Sequence, residues 1–277
     1  MVMNDMDKEQ LKSIILKKKS FLCVGLDPNL DFFPKHILNE DDPIFFFNKK
    51  IIDSTKNYCV SYKINLAFFE RYGEKGLLSL KKTLNYIPKD IFIIADGKRG
   101  DIFNSSKMYA ESLYNELNFN AATLNPYMGK DAIIPFNKEG KWSIILSATS
   151  NPSSSDFQML KTENGIPLYL EVVNKSKKWG NSNNIMFVVG GTKPEIIHNI
   201  RQNAPDFFFL VPGFGTQGGD LDKIFNVGKN KDIGLLVNCS RKILYANDSK
   251  DFYKYSEKFA FETQQKMEIL LKKSNFI

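Results

Sequence analysis

KDIFIIADGKRGD, residues 89–101, sets an unbroken apolar run, Ile91 to Ala95, directly against a cluster of charges. An apolar run without polar alternation suits a parallel strand buried on both faces. The charges that follow mark where such a strand leaves its core. Seven other β-rich runs recur along the chain, most of them continuously apolar as well: Phe21 to Leu26, Val60 to Ile64, Ala121 to Asn125, Ser143 to Ser147, Ile185 to Val189, Phe207 to Val211 and Gly234 to Asn238. Between them the apolar spacing changes to a helical period. The segments are Pro43 to Cys59, Gly73 to Tyr86, Asn104 to Leu117, Gly129 to Phe136, Pro167 to Trp179, Pro194 to Asn203 and Leu221 to Gly228, with a closing helix from Phe252 to Lys273. Asp251 fits its N-cap, and Pro167 and Pro194 fit first-turn positions. Eight strands alternating with about eight helices in this length predict an α/β fold, a (β/α)8 TIM barrel forming a single domain over residues 1–277. A doubly wound sheet is the alternative, but it would usually show fewer strands or a glycine-rich dinucleotide loop after the first one.

The 277 residues are 43% apolar and 25% charged, with 23 Phe and 11 Tyr spread along the chain, which excludes a disordered protein. The net charge of +7 suits a polyanionic partner, whether nucleic acid, an acidic lipid surface or a phosphorylated metabolite. Apolar runs fall far short of the roughly 20 residues of a membrane span, and MVMNDMDKEQLKSIILKKKS lacks the apolar core of a secretory signal. Cys23, Cys59 and Cys239 are an odd number without metal-ligand spacing, and the two histidines complete no zinc set. These features predict a reduced, cytoplasmic, metal-free protein whose cysteines lie in the core.

In a barrel, chemistry collects where the strands end, because the following loops converge over one mouth. Polar residues stand there in every unit: Asp27; Lys63 and Asn65; Asp96 and Lys98; Asn125; Thr149, Ser150 and Asn151; Thr192; Gln217; and Arg241. A strand exit meets solvent in any case, so Asn125 or Thr192 alone says little. Lys63, inside VSYKINL, is different, since burying an ammonium is costly without a carboxylate partner. Asp96 and Lys98, two apart on an extended segment, are expected to point the same way and to complete a charged array with Lys63 and Asp101. A lysine bracketed by carboxylates keeps its proton, as a general acid requires. The glycine-rich VPGFGTQGGD and the Arg241 of NCSR follow the last two strands, where barrels commonly bind phosphate. Gln217 can donate from its amide, and Arg241 can clamp two phosphate oxygens.

These blocks together resemble the orotidine 5'-phosphate decarboxylase family, in its longer bacterial type. The resemblance is carried by FLCVGLDP, SYKINLAFFE, IIADGKRGDI, TLNPYMGKDAIIPF, TSNP with DFQ, MFVVGGTKPE and LVPGFGTQGGD, and runs on to NCSRKILYA. The D-x-K-x-x-D element is shared with other enzymes of the same barrel superfamily, whereas TSNP and PGFGTQGGD make the likeness specific. It implies cofactor-free decarboxylation of orotidine 5'-phosphate to UMP, the last step of de novo UMP biosynthesis. Lys98 would protonate C6 of the pyrimidine and Asp96 would face the substrate carboxylate. Lys63 and Asp27 would hold the ribose hydroxyls, Ser105 the 2'-OH and Ser150 the ring, with Gln217 and Arg241 on the phosphate. Asp101 would reach the neighbouring subunit's site, making a homodimer with two composite mouths.

Three positions depart from the family pattern: Gly97 stands for Ala, Ser105 for Thr and Ser153 for Gly, while Lys242 adds charge beside Arg241. None removes a catalytic group. Two other readings compete. A magnesium-dependent phosphosugar enzyme of the same superfamily would need an extra carboxylate for the metal. An RNA-binding protein would need a basic face interleaved with exposed aromatics, and much of the lysine excess instead falls on helix surfaces, as at Lys17 to Lys19. Neither nucleic acid nor membrane is therefore an expected partner.

Overall fold

The computed structural model describes residues 5–215 and 219–277. Its strands are β1 Leu22–Gly25, β2 Ser61–Asn65, β3 Phe92–Arg99, β4 Ala121–Leu124, β5 Trp142–Ala148, β6 Ile185–Val189, β7 Phe208–Val211 and β8 Leu235–Cys239. Taken in chain order they form a closed barrel. The helices are α1 Lys8–Lys18, α2 Pro43–Thr55, α3 Ala67–Glu70, α4 Gly73–Tyr86, α5 Phe103–Glu111, α6 Leu168–Ser176, α7 Pro194–Asn203, α8 Leu221–Gly228, α9 Arg241–Leu244 and α10 Phe252–Lys273. The predicted (β/α)8 architecture is therefore the observed one. β1, β4, β6, β7 and β8 are buried at every residue, as parallel strands covered on both faces must be.

By packing, the chain divides into two compact units, Met1–Lys12 with Lys98–Asn238 and Ser13–Gly97 with Cys239–Ile277. In the first, Trp142 fills the foot of β5 and donates from Nε1 to the Met6 carbonyl at 2.8 Å. The start of α1, a helix the sequence reading did not assign, is fastened by Lys8 and Lys12, each 2.8 Å from Asp232. Burial pushes the Asp232 carboxyl up, but the two ammonium groups outweigh that and hold it below its ordinary value. In the second unit, Phe33, Phe47 and Phe252 stack in sequence, with centroid distances of 4.2 and 5.1 Å. Fully burying an aromatic side chain of this kind contributes roughly 1.5–3 kcal/mol.

Several segments differ from their expected form. The helix expected over Gly129 to Phe136 is a series of 3₁₀ turns, Pro126–Met128, Lys130–Ala132 and Ile134–Phe136. Gly129 has a φ of 93°, and Pro135 lacks the N–H that a continuing helix would need. The segment expected as Asn104 to Leu117 is α5 followed by a π-helical turn, Ser112–Glu116. Asp251 precedes α10 without capping it, because its carboxylate is taken up by Lys254 at 3.0 Å. Pro167 occupies the N-cap of α6 rather than its first turn.

Candidate active site

Lys63 lies on β2, paired in register with Gly25 on one side and Ile94 on the other. Strand alternation turns its side chain inward, where it is 6% exposed. Its Nζ lies 2.9 Å from Asp96 Oδ2 and 3.6 Å from Asp27 Oδ1. Burial alone pulls the lysine pKa down, but Asp27 and then Asp96 outweigh it, holding the ammonium above the ordinary lysine range. The carboxylate partner that the sequence demanded is thus present twice.

Asp27 leaves β1 just past Gly25, and its Oδ1 also accepts from the Asn65 N–H at 3.2 Å. Gly25 is required here by close approach, since a Cβ would lie 1.8 Å from Ser240 Oγ. Arg241 and Lys242 open α9, immediately after β8, with both side chains exposed. Asp27 and Arg241, each just past a strand end, belong to one unit with Lys63, the middle residue of β2, and Asp96, inside β3.

Lys98, Asp101, Ser105 and Ser150 belong to the other unit. Lys98 departs from the simple extended geometry expected of it: its φ is 46°, in the left-handed region, while its N–H donates to Thr123 Oγ1 on β4 at 3.0 Å. Positive φ in a non-glycine residue is costly and tends to occur at functional sites. Asp101 is half-buried in a turn closed by Ser106, whose Oγ donates to the Asp101 carbonyl at 2.8 Å. The Asp101 carboxylate accepts from the Ile102 N–H at 2.7 Å. Ser105 is half-buried in the first turns of α5.

Ser150 follows β5, and its neighbour Thr149 is fixed by Gln158, which accepts from the Thr149 N–H at 2.8 Å and donates to its hydroxyl at 2.9 Å. Gln158, the last residue of the DFQ stretch, thus orders the turn that follows β5. Asn125 serves the backbone, its Oδ1 accepting from the Tyr127 N–H at 3.1 Å, and Thr192 is exposed. Gln217 lies outside the described residues. The three cysteines are buried, and burial pushes their thiols up, Cys23 and Cys239 to about 12 and Cys59 to about 11. Such thiols are poor nucleophiles at neutral pH. Among the described residues no group of His, Cys, Asp and Glu could hold a metal ion.

Residues 20–254 match the model of the orotidine 5'-phosphate decarboxylase / HUMPS family. The chain belongs to this family. An orotidine 5'-phosphate decarboxylase of Flavobacterium johnsoniae is 53% identical over 95% of this chain and 97% of its own. One from Phocaeicola vulgatus is 48% identical over 96% and 99%. The solved OMP decarboxylase of Leishmania donovani superposes with a TM-score of 0.81 at 32% identity, covering 95% of this chain and 99% of that one. Membership of the orotidine 5'-phosphate decarboxylase family agrees with both the barrel and the carboxy-lyase class expected from the sequence. The relatives are matched over nearly their whole length, so the likeness extends well beyond the D-x-K-x-x-D element.

Proposed function

We propose that this protein decarboxylates orotidine 5'-phosphate to UMP without a cofactor, using charges fixed at the strand ends. The observation that carries this reading is the buried Lys63 ammonium held by Asp96 and Asp27. In the reaction the bond from C6 to the carboxylate breaks, CO₂ leaves, and the electron pair stays on C6. Lys63 and Lys98 stabilise that developing charge, as preorganised cations in a water-poor site do. Lys98 then gives its proton to C6, forming UMP, and regains one from solvent. Asp96 faces the departing carboxylate, and its repulsion eases departure of CO₂.

Asp27 and Lys63 hold the ribose hydroxyls, Ser105 the 2'-OH and Ser150 the pyrimidine ring. Gln217 and Arg241 bind the phosphate, whose binding energy helps to orient the ring. In this reading the chain serves as one cytoplasmic catalytic domain.

The second part of the proposal is a homodimer in which Asp101 reaches the partner's site. Support comes from apolar side chains beside Asp101 that are left in solvent, among them Ile102, 58% exposed, and Tyr127, 89% exposed. Gly100 brings these turns together, since a Cβ there would lie 2.7 Å from the Asn125 carbonyl. Phe103, Met108 and Met128 extend the exposed set, and such patches commonly mark protein interfaces. Mixing Asp101→Ala with Lys98→Ala subunits should restore about one working site per heterodimer; no recovery would exclude a shared site.

The activity itself is tested by adding orotidine 5'-phosphate to EDTA-treated protein and following the ultraviolet absorbance. Loss of absorbance with equimolar CO₂ and UMP is the expected outcome. Turnover abolished by EDTA and restored by Mg²⁺ would favour metal-dependent chemistry instead.

A further inference from the structure

The segment Asp27-Pro28-Asn29-Leu30 leads out of β1 and carries a carboxylate of the proposed site, yet its backbone is held by side chains from elsewhere. Pro28 has no N–H, which removes one donor from the turn. The phenol of Tyr245 spans the proline: its hydroxyl donates to the Asp27 carbonyl at 2.9 Å and accepts from the Asn29 N–H at 2.8 Å. Burial raises the phenol's pKa, so it remains the neutral O–H that this double bond needs. The ring cannot drift, because it stacks on Phe47 at 5.9 Å between centroids and is flanked by Phe32 at 5.3 Å.

Tyr245 is also joined to Arg241. It follows α9 directly, and its N–H donates to the Arg241 carbonyl at 3.0 Å, closing one helical turn. One residue therefore ties the backbone of Asp27 to the turn that presents Arg241, and all three lie in the same packing unit. Gly25, two residues before Asp27, and Ser240, one before Arg241, keep the two strand exits in close apposition, since a Cβ on Gly25 would lie 1.8 Å from Ser240 Oγ.

We infer that Tyr245 is a positioning residue that sets the Asp27 carboxylate in register with Arg241, so that one nucleotide can engage both at once. This rests on the reading in which Asp27 holds the ribose and Arg241 the phosphate. Tyr245 touches neither the substrate nor the reacting atoms; it acts through the Asp27 backbone. The arrangement also accounts for a hydroxyl on a ring packed against Phe32 and Phe47.

A double-mutant cycle on orotidine 5'-phosphate turnover, with wild type, Tyr245→Phe, Asp27→Asn and the double variant, tests this. Tyr245→Phe keeps the ring stack, so the protein should stay folded. One lost hydrogen-bonded clamp predicts a fall in kcat/KM of about tenfold, carried mainly by KM. In the Asp27→Asn background the same change should cost less than about threefold, because the group it positions is already altered. Tyr72→Phe is the control: it removes another phenol bond in this loop, to the Leu30 N–H at 3.1 Å, without a link to Arg241. It should cost less than about threefold. Equal losses for Tyr245→Phe in both backgrounds, an equal loss from Tyr72→Phe, or a wild-type KM for Tyr245→Phe would each overturn the positioning role. Wild-type turnover by Asp27→Asn alone would instead show that the underlying reading of Asp27 is wrong.

Discussion

Lys63 and Arg201 are buried to nearly the same degree, 6% and 8% exposed, yet their surroundings differ in kind. Around Lys63 stand two carboxylates, Asp96 and Asp27, and the ammonium is held above its ordinary pKa. Arg201, near the end of α7, is held by backbone carbonyls: Gly228 at 2.7 Å, Ala204 at 3.0 Å, Pro205 at 3.2 Å, Phe207 at 2.6 Å and Gly234 at 3.0 Å. Its guanidinium also lies 3.7 Å over the Phe209 ring. Burial lowers its pKa to about 9, with Asp206 the opposing charge. Neutral dipoles are enough to knit loops together. A structural cation thus needs only donors matched to backbone acceptors, whereas Lys63 is held by two carboxylates, one of which, Asp96, the proposed reaction sets against the substrate carboxylate.

If the contrast is sound, changes at the two places should separate activity from stability. The largest effect is expected for Asp96→Asn, which should reduce turnover of orotidine 5'-phosphate by about 10³-fold. Its stability loss, measured by urea unfolding, should stay below about 2 kcal/mol, because Asp27 still balances the ammonium. Arg201→Met should do the reverse. Stripping the charge from five carbonyls should cost about 3–5 kcal/mol of unfolding free energy. Turnover per folded molecule should fall by less than about threefold, since no contact with substrate is lost. A turnover loss in Arg201→Met as large as in Asp96→Asn would erase the distinction.

The smallest effect concerns pH. A lysine whose folded-state pKa is raised contributes stability that is complete below its unfolded value, about 10.4, and lost only as pH rises through the folded value. Lys63 should therefore stay charged between about pH 6 and pH 9. Within that window the difference in unfolding free energy between wild type and Lys63→Met should not vary with pH. A difference that shrinks steadily toward the alkaline end would show that the carboxylates do not hold the proton.

Much of this was legible in the sequence where local chemistry and fold agree. Gly73–Tyr86, Pro194–Asn203, Leu221–Gly228 and Phe252–Lys273 are helices over the very spans expected, because their apolar period is clean and glycine or proline marks several ends. Lys63 announced its need for a carboxylate partner because a charge within an apolar strand has few stable solutions. What could not be read depends on neighbours distant in the chain. The left-handed turn at Lys98 accompanies a bond to Thr123 on another strand. α9 spans only four residues, too few for a periodic signal. Tyr245 meets Asp27 across 218 positions of sequence, with no motif linking them.

Turnover of orotidine 5'-phosphate by wild-type protein and by Lys98→Ala, both EDTA-treated and followed by ultraviolet absorbance, tests the proposed chemistry most directly. Wild type should form UMP and CO₂ in equal amounts. Lys98→Ala should lose about 10³-fold or more in turnover, having lost its proton donor and a fixed cation together, while UMP affinity stays within about tenfold. Near-wild-type turnover by Lys98→Ala, or no absorbance change with the wild-type protein, would contradict it.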